Sequence, residues 1–134
     1  MLQPNQAITL NPGLLGFEDI SQYSFKPVPD NPYFFWLEAK DGPCFVITKP
    51  DFFFNDYHVQ VKQDSLANLN LEEKEPGVYL IVTVPEKTAD MTANLLAPLL
   101  VNEEKGLACQ VVLTDSSYTT KHYLFPPEKR RHCG

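Results

Sequence analysis

Cysteine is scarce in this chain: three among 134 residues, an odd number and widely spaced, which excludes a disulfide framework. Glycine is scarce too, at six. The sequence holds no phosphate-binding glycine loop, no Gly-x-Ser-x-Gly elbow, no His-Glu-x-x-His and no Cys-x-x-Cys, so the enzyme classes with those signatures are not indicated. Lys and Arg total 11 against 17 Asp and Glu, a formal charge of −6. Such a balance argues against a surface that tracks a phosphate backbone, and no direct nucleic-acid partner is expected. No apolar run nears the roughly 20 residues that a membrane helix needs. The start "MLQPNQAITL" carries neither a basic nor an apolar leader region, so a cytoplasmic protein without a membrane partner is expected. Histidine is limited to His58, His122 and His132. A metal centre would need three or four donors to converge, so no metal or cofactor is expected, and His122 with the His132-Cys133 pair makes at most a scavenging set. Cys44 or Cys109 with His58 or His122 is a nucleophile pair on residue type alone. Both thiols lie in apolar, strand-like surroundings, so core packing is the reading adopted.

What is present is hydrophobic and aromatic: 43% apolar residues, nine Phe, six Tyr and one Trp, with twelve prolines. That is enough for one domain with its own core, and it excludes a disordered chain. The expected organisation is a single domain over residues 1–127. Residues 128–134, "EKRRHCG", form a basic tail expected to be solvated and mobile. Short runs rich in aromatic and β-branched residues ("YSFKPVP", "YFFWLEAK", "CFVITKP", "YHVQV", "VYLIVTVP", "CQVVLT") are bounded by Pro, Gly, Asp or Asn. This is the pattern of an all-β sandwich or barrel. "VYLIVTVP" is apolar nearly throughout, so both of its faces should be covered. "DSLANLNLEEKE" is the one short helix expected, capped by Asp64 or Ser65 and ended by "EPG".

"PEKTADMTANLLAPLLVN" is ambiguous between a capped helix and a strand. As a helix it would place Pro98 inside, at a cost of about 3 kcal/mol. Read with period two, Met91, Ala93, Leu95, Ala97, Leu99 and Val101 share one apolar face, expected on the core. The strand reading wins, with Pro98 confining it to an edge or a bulge. An edge would leave Thr92, Asn94 and Pro98 with polar backbone open to a partner. Alternatively, Thr92 and Asn94 satisfy backbone groups inside a bulge. The runs "NPYFFWLE" and "PDFFFNDY" cannot all point inward, because neighbours on a strand alternate faces. Phe53, Phe54 and Asp56 are therefore a second candidate patch, with Tyr57 expected to be buried. Exposed rings could also serve as a small barrel's platform for single-stranded nucleic acid or another ligand.

Four pieces of the sequence resemble the family of the flagellar assembly factor FliW: "GLLGF" at 13–17, "FFWL" at 34–37, "DYHV" at 56–59 and "TVP…DMTANLLAP" across 83–98. The likeness runs in order over about residues 7 to 124. Leu15 stands where that family usually has proline, and "SSYTTKHYLF" keeps only Tyr118, His122 and Leu124 of the usual ending. The resemblance implies a compact antiparallel β-barrel-like domain that is not an enzyme. It implies two partners bound in alternation: newly made flagellin, and the translational regulator CsrA, antagonised allosterically so that flagellin mRNA is translated. Glu72, Glu73 and Glu75 are candidates for steering a basic CsrA towards the acidic chain.

Overall fold

The computed structural model describes residues 2–11, 13–40, 42–60, 63–113 and 117–126. The described residues form nine strands: β1 (Gln6–Leu10), β2 (Gln22–Val28), β3 (Asn31–Ala39), β4 (Cys44–Thr48), β5 (Gly77–Thr83), β6 (Thr92–Ala93), β7 (Leu99–Asn102), β8 (Leu107–Gln110) and β9 (His122–Tyr123). Three 3-10 turns join them: η1 (Pro50–Phe52), η2 (Gln63–Leu69) and η3 (Thr88–Asp90). The strands run in the order β4-β3-β2-β1-β8-β7-β5, and β5 pairs back onto β4, closing a seven-stranded barrel. Every barrel pairing is antiparallel except β1 with β8. Closure removes the exposed edges that a short sheet would otherwise carry.

Alternation along the strands sorts side chains to the two sides of the wall. Tyr23, Phe25, Phe35, Leu37, Ile47, Tyr79, Leu99 and Val101 fill the interior. Phe25, Phe35 and Tyr79 pack there with ring centroids 4.9, 6.2 and 6.4 Å apart. β5 is covered on both faces as expected: Tyr79 turns inward, while Leu80 and Val82 turn outward beneath a second apolar cluster.

Three expectations are corrected. The helix at 64–75 is instead the seven-residue 3-10 turn η2. Its two leucines are too few, and "EPG" follows too soon, for a stable α-helix. "YHVQ" at 57–60 forms no strand, although Tyr57 and Val59 are half-buried while His58 and Gln60 are exposed. Third, the segment 91–102 is neither continuous nor an edge. β6 and β7 lie along the same side of β5, with Val82 opposite Ala93 and Tyr79 opposite Leu99. Three steps along β5 are thus matched by six on the other strand. The surplus of three is taken up within residues 94–98, which loop out, and Pro98 sits where no ladder needs its N–H. An odd surplus reverses facing. Met91, Ala93 and Leu95 therefore join the outer cluster, whereas Leu99 and Val101 enter the barrel interior. β6 is flanked by β5 and β9, and β7 by β5 and β8, so neither strand leaves a free edge. The tail at 128–134 lies outside the described residues, as do His132, Cys133 and the side chain of Ser65.

Candidate partner-binding surface

On one outer face, Trp36, Val46, Val82, Ala93 and His122 lie in register across β3, β4, β5, β6 and β9. Bare, this would be an apolar sheet face. Phe53, Phe54, Tyr57, Tyr118, Leu124 and Phe125 cover much of it. Pro50 opens η1 at a position where its missing N–H costs nothing, and the turn swings Phe53 onto Phe34 and Phe125 at 5.7 and 5.9 Å. The Tyr57 hydroxyl donates to the Leu95 carbonyl at 2.6 Å, and its ring packs 4.7 Å from Tyr118. Burial, then Tyr118, pushes the Tyr57 phenol above its ordinary pKa. The Tyr118 hydroxyl accepts from the His58 N–H at 3.1 Å and donates to the Asp56 carbonyl at 3.3 Å. Rings remain open at the rim, where Tyr33 is 51% and Phe52 40% exposed. These two meet edge to face at 5.5 Å, giving an aromatic shelf.

The other outer cluster is aliphatic. Leu66, Leu69 and Leu71 from η2 and its exit pack with Leu100, Cys109, Val59 and Val78. The buried Asn102 fastens this cover. Its amide donates to the Leu69 and Asn70 carbonyls at 2.8 and 3.2 Å, and its oxygen accepts from the N–H groups of Glu104 and Lys105 at 3.2 Å. Around it stand charged side chains, with ion pairs Lys74–Glu104 and Lys105–Glu72. Both pairs are exposed and contribute little to stability.

A cleft of about 710 Å³ runs along the seam between the two covers. Its lining includes the apolar side chains of Val59, Leu66 and Val78 and the charged ones of Lys49, Asp51, Glu75 and Glu103. Glu103 is held in place: the Tyr79 hydroxyl donates to its Oε2 at 2.6 Å. Burial, then the Glu103 carboxylate, raises the Tyr79 phenol's pKa. A Cβ on Gly77 would come 2.5 Å from Glu103 Oε1, so the glycine leaves the carboxylate its space. The Lys49 ammonium stands 5.7 Å from the Tyr79 ring centre.

The sequence-derived candidates separate into three places. Phe53 and Phe54 are half-buried in the aromatic cover and Asp56 is exposed beside it. Glu72 and Glu73 are exposed on the aliphatic side. Thr92, at 8% exposure, and Pro98 are buried, and the half-buried Asn94 spends its oxygen on the Ala97 N–H at 2.9 Å. The three share no open face, and the alternative reading of Asn94, a bulge kept satisfied by its own side chain, describes it. The surface residues that pattern reading missed are Tyr33 on the shelf and Glu103 with Gly77 in the cleft. Gly77 and Glu103 lie 26 positions apart, and no local signal links them. Cys109 is buried, but Cys44 is exposed at the start of β4, against expectation. Burial raises both thiols, with Glu38 adding to the shift at Cys44, so neither is an activated nucleophile. Among the described residues, no group of three or more His, Cys, Asp or Glu is placed to hold a metal ion. No helix among them is long and apolar enough to cross a membrane.

Comparison with known proteins places this architecture. A family model described as FliW protein matches residues 1–124. The chain is 37% identical over 127 residues to the flagellar assembly factor FliW of Heliobacterium modesticaldum, covering 92% of this chain and 83% of that one. It is 39% identical to the one of Alkaliphilus metalliredigens, over 92% of this chain and 78% of that one. For Natranaerobius thermophilus the figures are 37%, 97% and 89%. A crystal structure of the flagellar assembly factor FliW superposes with a TM-score of 0.82 at 30% identity, covering 96% of this chain and 92% of that chain.

Proposed function

The chain belongs to the FliW family of flagellar assembly factors, and from that premise we propose that it is a cytoplasmic, non-enzymatic regulator that binds newly made flagellin and, once released, binds CsrA. By binding CsrA it antagonises that repressor allosterically, and translation of flagellin mRNA resumes. The observation that carries this reading is the pairing of two unlike recognition surfaces on one wall: open rings at Tyr33 and Phe52, and an acid-rimmed cleft beside them. The rings suit an amphipathic helix, which presents apolar side chains at spacings of three and four. The acidic side suits a partner that is basic because it binds RNA. Phe53, Phe54 and Asp56 contribute to the first surface, and Glu72 and Glu73 to the approach of the second partner.

The test uses purified components. Immobilised protein is expected to retain flagellin and CsrA separately, and added flagellin is expected to displace CsrA. In a gel-shift assay the protein should release CsrA from a flagellin leader RNA without itself shifting that RNA. Retention of neither protein, or a direct shift of the RNA, would overturn the proposal; the direct shift would favour a barrel that binds single-stranded nucleic acid.

A further inference from the structure

We propose that the basic segment after Pro127 folds back on its own domain, with Arg130 or Arg131 seated on the open rings of Tyr33 and Phe52. The aromatic shelf is then partly occupied before any partner arrives. The contact itself depends on no partner; only its consequence rests on the partner-binding reading above.

Three observations carry it. The first is where the described chain stops. Phe125 packs 5.9 Å from Phe53, and Phe53 lies 6.2 Å from Tyr33, so the chain leaves the domain two ring contacts from the shelf. Pro126 and Pro127 favour an extended course that advances about 3 Å per residue, so about four residues cover that distance. The second is composition. Arg130 and Arg131 fall at that reach and are the only arginines in the chain. A guanidinium is planar and weakly hydrated, which suits it to stacking on an aromatic face. The third is the setting of the rings. Tyr33 is 51% and Phe52 40% exposed, and the exposed Asp30 and Asp51 stand three and one positions before them in sequence. Negative charge beside open rings favours a cation there.

A short tether gives the tail a high effective concentration at the shelf, so a contact that is weak by itself becomes populated. An incoming apolar side chain must displace the arginine. Its apparent affinity falls by the fraction of molecules whose shelf is open.

The experiment places a nitroxide on Cys133 of the full-length protein, in a Cys44→Ser background because Cys44 is exposed whereas Cys109 is buried. The amide signals of Tyr33, Phe52 and Phe53 are expected to broaden at every protein concentration. Replacing both arginines, Arg130→Gln with Arg131→Gln, should abolish that broadening and tighten flagellin binding about three-fold. Arg130→Lys with Arg131→Lys keeps the charge without the planar group and should fall between the two. No selective broadening, as a solvated tail gives, overturns the proposal. Broadening centred away from the shelf, or growing with protein concentration as for a tail seated on a second copy, overturns it too. If broadening is lost in the glutamine variant while flagellin binding is unchanged, the contact stands and the assignment of flagellin to the shelf fails alone.

Discussion

The two apolar faces that the barrel turns outward are covered by different means. Over β4, β5 and β6 the cover is aromatic: Phe53, Phe54, Tyr57, Tyr118 and Phe125 meet ring against ring, and it stays open at Tyr33 and Phe52. Over β7 and β8 the cover is the aliphatic side of η2, tied by one buried amide, Asn102. The aromatic cover is assembled from two short stretches, 53–57 and 118–125, whose rings make several separate contacts. The aliphatic cover has one buried polar residue that serves four backbone groups, beside exposed ties such as the Lys105 ammonium on the Asn70 carbonyl at 3.3 Å. One face should therefore lose stability gradually under mutation, and the other abruptly.

Asn102→Ala should show the abrupt case. It leaves the Leu69 carbonyl and the turn at 103–105 without their partners, and a loss of about 3 kcal/mol is expected in urea unfolding. Phe53→Ala probes the gradual face at its centre. Because the ring is only half-buried, about 2 kcal/mol is expected instead of the full cost of a core phenylalanine. If the two losses were equal, or their order reversed, the contrast between the covers would not hold.

Tyr57→Phe is expected to cost about 1 kcal/mol through the lost bond to Leu95. It also has a signature in pH. Burial raises the Tyr57 phenol in the folded chain, so the unfolded chain ionises first, from about pH 10. Stability contributed by the neutral phenol is present below that pH and is lost as pH rises above it. Alkaline unfolding curves of Tyr57→Phe should consequently fall less steeply than those of the unaltered protein. Tyr79→Phe should behave the same way for the same reason. The smallest effect belongs to the rim: Phe52→Ala should change stability by less than about 0.5 kcal/mol. It should still weaken flagellin capture in a pull-down, since its ring is open to solvent. Unchanged capture would detach the shelf from partner binding.

Much of this architecture was legible in the residues. The all-β class, the double coverage of β5 and the preference for strand over helix around Pro98 followed from alternation and from proline chemistry. The segment 91–102 shows where that reading stops. Its alternation is real, and all six apolar residues are buried. Yet the loop at 94–98 sends Met91, Ala93 and Leu95 to the outer cluster and Leu99 and Val101 into the barrel. Alternation records that a side chain is buried, not on which side of a wall. Thr92 and Pro98 were misplaced for the same reason, since the polar-looking face has a cover of its own.

By itself the sequence determined the class of fold, the solvent-facing acidity and the family, because propensity, charge and motif are properties of residues in order. Only the tertiary structure decided that the barrel closes through β5 onto β4, that Asn102 fastens one cover, and that Gly77 makes room for a carboxylate held by Tyr79. Those facts depend on residues tens of positions apart meeting in space. No local pattern encodes such a meeting, because it is the closure of the barrel that brings them together.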